Sequence, residues 1–449
     1  MLRSKNKTTG AATEPTFAEI NEKQTPYAGS IDGVPVETAP HVLVSGPTGR
    51  GKTTRILSMG AVQWVGPRVI VSSKTDLLKW IVKKGIAGRG PLFVMDLAGE
   101  LDPSFNWLQG VDYQMVTSDP TSLIANDDDA LAMASLLMKV GSLGASDGGD
   151  SGSGDDAFWQ TQAAQPLAAL LLAGKASGKG IAWTVRAASK TVKDDENDDS
   201  PSWANAYELV EKNSFHAESL NAVVDMEAKL RDSVIATMKA GLAPWLLTNV
   251  RGQRGSVPFA PSMLEGPSEP TLAIIAPSDG VAAGAAVGAI ETVIRHWRRG
   301  VEHGLPRVLL SIDEAVNTAA IPKLPTYITE GRGLGVACVI AVQSTNQMEL
   351  RWGSVGAKVL REVFPAFLIL DGAPEFEALE LAEKWSGEHD VWRETINADQ
   401  TRTMTAEKAP RRTVSEMLPG SVEEGRLLLY GKEGKLVQLP GIWNLPDAA

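Results

Sequence analysis

The stretch HVLVSGPTGRGKTT, residues 41–54, decides the fold class. Val42, Leu43 and Val44 form a short apolar run that predicts a buried strand. The residues Gly46, Pro47, Thr48, Gly49, Arg50, Gly51, Lys52 and Thr53 then satisfy the phosphate-binding pattern G-x-x-x-x-G-K-[ST] at every specified position, with Thr54 next in line. The chemistry requires these residue types. Glycines let successive backbone N–H groups turn toward a phosphate that a side chain would block. Lys52 brings a positive charge to the terminal phosphates, and Thr53 offers a hydroxyl to Mg²⁺. The segment TTRILSMGAVQW continues as a helix whose positive end faces the anion.

Outward from this loop the pattern is regular. Strands are predicted at 41–45, 68–71 and 92–95, with helices near 52–64 and 75–84, which is the alternation of an α/β protein with a mostly parallel, doubly covered sheet. From about 120 to 250 the period changes to that of helices, as in ALAMASLLMKV, FWQTQAAQPLAALLLAGKA and NAVVDMEAKLRDSVIATMKAGLAPWL. Strand signals return at 271–275, 308–312, 336–342 and 366–370, and the tail LLLYGKEGKLVQLP predicts a hairpin around Gly431, Lys432, Glu433 and Gly434. The expected organisation is a loosely attached arm over 1–25, a nucleotide-binding domain made of 26–119 and 251–449, and an all-α domain inserted at 120–250. No repeat of fixed period is present.

The bulk numbers narrow the function classes. A 43% hydrophobic content over 449 residues supports sizeable cores. The single cysteine, Cys338, lies in the apolar run GVACVIAV and is expected to be a buried thiol of an intracellular protein. No run of 18 uncharged apolar residues occurs, so no spanning helix is predicted and the chain reads as soluble. A net charge of −11 argues against a generally basic nucleic-acid-binding surface. Residues 121–200 hold 12 acidic against 6 basic residues, much of the acid in Asp127–Asp129 and the run 194–199, where solvated loops are the expectation. Any contact with DNA must then come from a local patch or from a channel formed by several copies.

Hydrolysis needs a carboxylate pair beside the phosphate loop. The strand 308–312 runs into Asp313 and Glu314, of which Asp313 is the candidate metal ligand and Glu314 the candidate activator of water. A further strand ends in Gln343, either a reporter of the γ-phosphate or simply a polar strand terminus. Arg332 sits between Gly331 and Gly333, and reads either as a surface arginine or as a finger reaching a neighbouring subunit's nucleotide.

Several blocks in order resemble the TraG/TraD family of type IV secretion coupling proteins, the ATPases of conjugative DNA transfer. They are HVLVSGPTGRGKTT, VIVSSKTDLLKW, FWQTQAAQPLAALLLA, the tail RRTVSEMLPGSVEEGRLLLYGKEGKLVQLPGIW and, most specifically, SIDEAVNTAAIPKLPTYITEGRGLGVACVIAVQSTNQMELRWG. The resemblance spans roughly 40–445. It implies a RecA-like P-loop NTPase core with an inserted all-α domain, ring hexamers, and ATP with Mg²⁺ as cofactors. It implies nucleotide binding by the loop 46–54, Mg²⁺ at Thr53 and Asp313, catalysis through Glu314, Gln343 as γ-phosphate sensor and Arg332 as the trans finger. It further implies a motor that delivers single-stranded DNA with its relaxase to other type IV secretion components, from the cytoplasmic side of the cell membrane.

Two departures qualify the resemblance. The family's N-terminal pair of membrane helices has no counterpart in the sequence, which implies either a soluble variant or an anchor on a partner chain. The turn after the second strand, Ser72 to Asp76, lacks the family's usual acid and glycine, which leaves Lys74 either a phosphate or DNA contact or a surface lysine. Two competing functions remain: a nucleotide-gated scaffold that recruits cargo with little turnover, and a translocase of duplex DNA like the chromosome-segregation motors.

Overall fold

The computed structural model describes residues 24–145, 154–192, 200–252, 256–278, 281–396, 402–432 and 434–447. Almost all of the expected N-terminal arm and the acidic run 194–199 lie outside the described residues.

Twelve strands carry labels: β1 His41–Ser45, β2 Arg68–Ser72, β3 Leu92–Asp96, β4 Gln114–Thr117, β5 Thr271–Ile275, β6 Val308–Ile312, β7 Val336–Val342, β8 Ala366–Leu370, β9 Glu388–Ile396, β10 Arg402–Pro410, β11 Glu424–Leu429 and β12 Lys435–Gln438. Ten of them join one sheet in the order β12-β11-β8-β1-β7-β6-β2-β5-β3-β4, extended at its margins by the short strands Ser30–Ile31, Val34–Pro35 and Val257–Pro258. From β8 to β4 every pairing is parallel, and β11 and β12 add an antiparallel margin.

The central strands are buried along their full length, as parallel strands covered on both faces must be. Their side chains divide by alternation. Leu43, Val69 and Val71 enter one core with helix Ala283–Gly300, while Val42, Val44 and Ile70 enter the other with Ile56, Met59 and Ile81.

Between β4 and the short strand at Val257, the described elements are helical: Asp127–Ala145, Gly154–Ala176, Gly180–Ala187, Trp203–Val210, Ala217–Val224, Ala228–Leu242 and Thr248–Arg251, with short 3-10 turns at either end. They share the first core rather than forming a separate one. Helices Asp127–Ala145 and Ala228–Leu242 approach closely at two glycines. A Cβ on Gly141 would stand 2.7 Å from the Ala240 carbonyl oxygen, and one on Gly241 3.1 Å from the Met138 nitrogen.

The hairpin β9–β10 stands outside the large sheet as a separate two-stranded ribbon. The predicted tail hairpin is present as β11–β12.

Candidate functional site

The order β1-β7-β6 in the sheet brings three distant segments to one edge. The loop after β1, Gln343 after β7 and Asp313–Glu314 after β6 all lie at the carboxyl ends of adjacent parallel strands, where open α/β sheets bind ligands. The Gly46 N–H donates to the Val342 carbonyl at 3.2 Å, and the Asp313 N–H to the Val71 carbonyl at 2.8 Å. These bonds fix the loop and the acidic pair to their neighbours' strand ends.

Two loop glycines have left-handed backbone, Gly49 at φ 80° and Gly51 at φ 86°, which a Cβ would disfavour. Gly46 is required for a different reason: a Cβ there would come within 2.8 Å of Leu370 at the end of β8. The chain then enters a π-wound turn, Lys52–Leu57, that continues as the α-helix Ser58–Gln63.

The Lys52 ammonium folds back onto the loop, donating to the carbonyls of Gly46 at 2.5 Å and Pro47 at 3.1 Å. Burial lowers its pKa, opposed by the charges of Asp313 and Glu314. The Thr53 hydroxyl donates to Asp313 Oδ2 at 2.7 Å. Burial raises the Asp313 pKa, while the Thr53 hydrogen bond and the Lys52 charge act in the opposite direction. Thr53 and Asp313 thus hold two oxygen donors side by side at the phosphate loop. A hydroxyl and one carboxylate, completed by phosphate oxygens and water, is a donor set suited to Mg²⁺.

Glu314 is one of three non-glycine residues with positive φ among the described residues, at φ 58° and ψ 52°. Backbone of this kind costs about 1 kcal/mol or more and is informative at a site. Its carboxylate accepts a hydrogen bond from the Gln343 amide. Arg50 pairs with Asp371 beyond β8 at 3.0 Å. Thr48, Thr54 and Lys74 line the same cleft, about 410 Å³ in volume, as do Lys52, Asp313 and Glu314.

Arg332 is not brought to this cleft within its own chain. It lies in the turn Gly331–Leu334 that precedes β7, at the amino ends of the parallel strands. The five residues of β1 separate the two ends by about 17 Å. His41, the first residue of β1, holds this turn: its Nε2 donates to the Gly331 carbonyl at 3.2 Å, and its Nδ1 accepts from the Cys338 N–H at 3.3 Å. Burial lowers the His41 pKa to about 4, with the Arg307 charge acting the same way against the Gly331 carbonyl. Arg307 also donates to the Arg332 carbonyl at 3.2 Å.

Sequence reasoning did not single out Glu375. Its buried carboxylate accepts from the Ser45 hydroxyl at 2.6 Å, the Thr345 N–H at 2.8 Å and the Thr345 hydroxyl at 2.5 Å, tying the ends of β1 and β7 together. No local motif announces it, since its partners are 330 and 30 residues away. Val422 and Trp443 at the cleft were missed for the same reason, while Ser73 and Asp76 flank Lys74 in the turn after β2.

Residues 307–421 match the family model described as the TraM recognition site of TraD and TraG. Solved structures of the bacterial conjugative coupling protein TrwB share the fold. The unbound TrwBdeltaN70 is 20% identical, with a TM-score of 0.59 over 94% of this chain and 90% of that one. TrwB with the ATP analogue ADPNP is 19% identical, with a TM-score of 0.57 over 94% and 92%. TrwB with ADP and Mg²⁺ is likewise 19% identical, with a TM-score of 0.57 over 94% and 91%. At these identities the likeness is one of fold. No curated protein matches the chain. The chain is thus similar to the TraM recognition site of TraD and TraG over residues 307–421, and to TrwB in fold over most of its length.

Proposed function

We propose that this chain is an ATP-driven DNA-translocating coupling protein that delivers DNA with its relaxase to a type IV secretion channel. The observation that carries the reading is the convergence of the phosphate loop, Asp313, Glu314 and Gln343 at one sheet edge, with Arg332 presented at the opposite edge. TrwB, alike in fold, binds an ATP analogue as well as ADP with Mg²⁺, which supports ATP and Mg²⁺ as ligands of the loop.

In this reading the loop N–H groups and Lys52 hold the β- and γ-phosphates. Thr53 and Asp313 hold Mg²⁺, which when bound neutralises phosphate charge. Glu314 orients the attacking water and accepts its proton, and Gln343, already bonded to Glu314, connects that carboxylate to the γ-phosphate. Arg332 serves a neighbouring subunit of a ring, because it stands a strand's length from its own cleft. The helical stretch 120–250 is the proposed inserted domain that receives cargo. Among the described residues no helix is long and apolar enough to cross a membrane.

The test is ATP turnover with and without single-stranded DNA. DNA-stimulated hydrolysis in the wild type and at least hundredfold loss in Lys52→Ala are expected, from the weight of a single charged phosphate contact in phosphoryl transfer. Nucleotide binding without DNA-stimulated turnover would instead support the scaffold that recruits cargo.

A further inference from the structure

The phosphate cleft is walled on one side by a residue from the far end of the chain. Trp443, in the turn Ile442–Asn444, lines it together with Val422. Its indole is fixed by neighbours. The Arg55 guanidinium lies over the ring, 5.1 Å from the centroid, and Trp80 packs against it at 6.2 Å between centroids with a 56° tilt. Arg55 is itself held, donating to the Leu439 carbonyl and pairing with Glu423 at 3.2 Å.

The tail on both sides of Trp443 is anchored as well. Lys84 donates to the Leu445 carbonyl and pairs with Asp447 at 2.6 Å. Gly441 lets the indole fold back over the backbone, since a Cβ there would meet the ring at 2.2 Å. Yet the fixed indole remains 51% exposed. A rigid aromatic surface left half open at a ligand cleft is suited to stacking. Arg55 comes two residues after Thr53, so the ring lies just beyond the phosphate-binding residues.

We propose that Trp443 is the stacking platform for the nucleobase of the nucleotide whose phosphates the loop 46–53 holds. This rests on the nucleotide-binding reading of that loop. Stacking reads the area of a π face rather than the hydrogen-bonding edge of a base. The platform therefore favours purines over pyrimidines and treats adenine and guanine alike.

Calorimetric titration of the full chain with Mg²⁺ and ATP, GTP, UTP or inorganic tripolyphosphate tests this. Trp443→Ala is expected to bind ATP and GTP about tenfold more weakly, within the span measured for base stacking on aromatic side chains, and to bind tripolyphosphate like the wild type. Trp443→Phe is expected to stay within about threefold of the wild type for ATP, as any aromatic face supports stacking. If the alanine variant fails to fold, Trp443→Leu keeps an apolar group against Arg55 and is expected to show the same selective loss. Unchanged ATP affinity in the variant would overturn the proposal, and so would an equal loss for tripolyphosphate, which marks a structural role. Lys52→Ala separates the two layers: it is expected to weaken ATP and tripolyphosphate together. Full binding of both by that variant would remove the phosphate loop as the site, and the platform with it.

Discussion

His41 is a titratable group kept neutral by its position. It is fully buried at the start of β1, with one nitrogen accepting from Cys338 and the other donating to Gly331, and its pKa is lowered to about 4. In the unfolded chain an ordinary histidine titrates near pH 6.5. The unfolded state therefore binds more protons in the window between about 4 and 6.5. Stability from the neutral ring is present above that window and is lost as pH falls through it. Between pH 7 and pH 5 the loss from this residue is expected to be about 2 kcal/mol. His41→Gln, which does not titrate, should lose that much less than the wild type over the same interval in chemical denaturation. Equal losses in the two proteins would exclude His41 as the source. At the same scale, the meeting of Lys52, Thr53 and Asp313 at one cleft was legible in the sequence because each belongs to a compact motif. The pairing of Gln343 with Glu314 and the clamp of His41 on the Arg332 turn were not, because residues 29 and 290 apart meet only through strand order.

At the scale of elements, β1 acts as a strut between two edges of the protein. Its carboxyl end continues into the phosphate loop, and its amino end holds the turn of Arg332. Glu375 ties the phosphate-loop end of this strut to the segment after Gln343. Truncating it by Glu375→Ala leaves the Thr345 N–H and two hydroxyls without their acceptor in a buried setting. A cost of about 3 kcal/mol is expected, from the loss of several bonds to a charged acceptor. Denaturant unfolding reads this directly, and a loss below about 1 kcal/mol would mean that water replaces the carboxylate.

Seven of the parallel strands were readable because strands buried on both faces appear as continuous apolar runs, whereas β4, half exposed at the margin of the sheet, was not predicted. The hairpin β9–β10 was not. Its strands are dense in charge, and cross-strand ion pairs such as Arg393–Glu407 at 3.1 Å and Arg402–Glu394 at 3.2 Å replace an apolar alternation. The π-wound turn after the phosphate loop was also invisible, since helical periodicity does not distinguish the winding of a single turn.

For the whole molecule, the proposed function places hydrolysis at the interface between copies. The acidic balance of −11 argues against a generally basic DNA-binding surface on a lone copy, and the proposed ring would have to gather local basic groups in its channel. The position of Arg332 at the opposite edge from Lys52 gives the claim its geometry. The most direct test mixes two variants that are each inactive. Arg332→Ala keeps an intact nucleotide cleft but offers no finger, while Glu314→Gln offers the finger from a cleft that does not activate water. Each alone is expected to lose DNA-stimulated ATP turnover by about a hundredfold or more, in line with the weight of such groups in phosphoryl transfer. Together in equal amounts they are expected to recover a measurable fraction of wild-type turnover, through interfaces that pair an intact cleft with an intact finger. Recovery would establish Arg332 as a trans-acting group of an assembled motor. Full turnover by Arg332→Ala alone, or a mixture as inactive as its components, would contradict it.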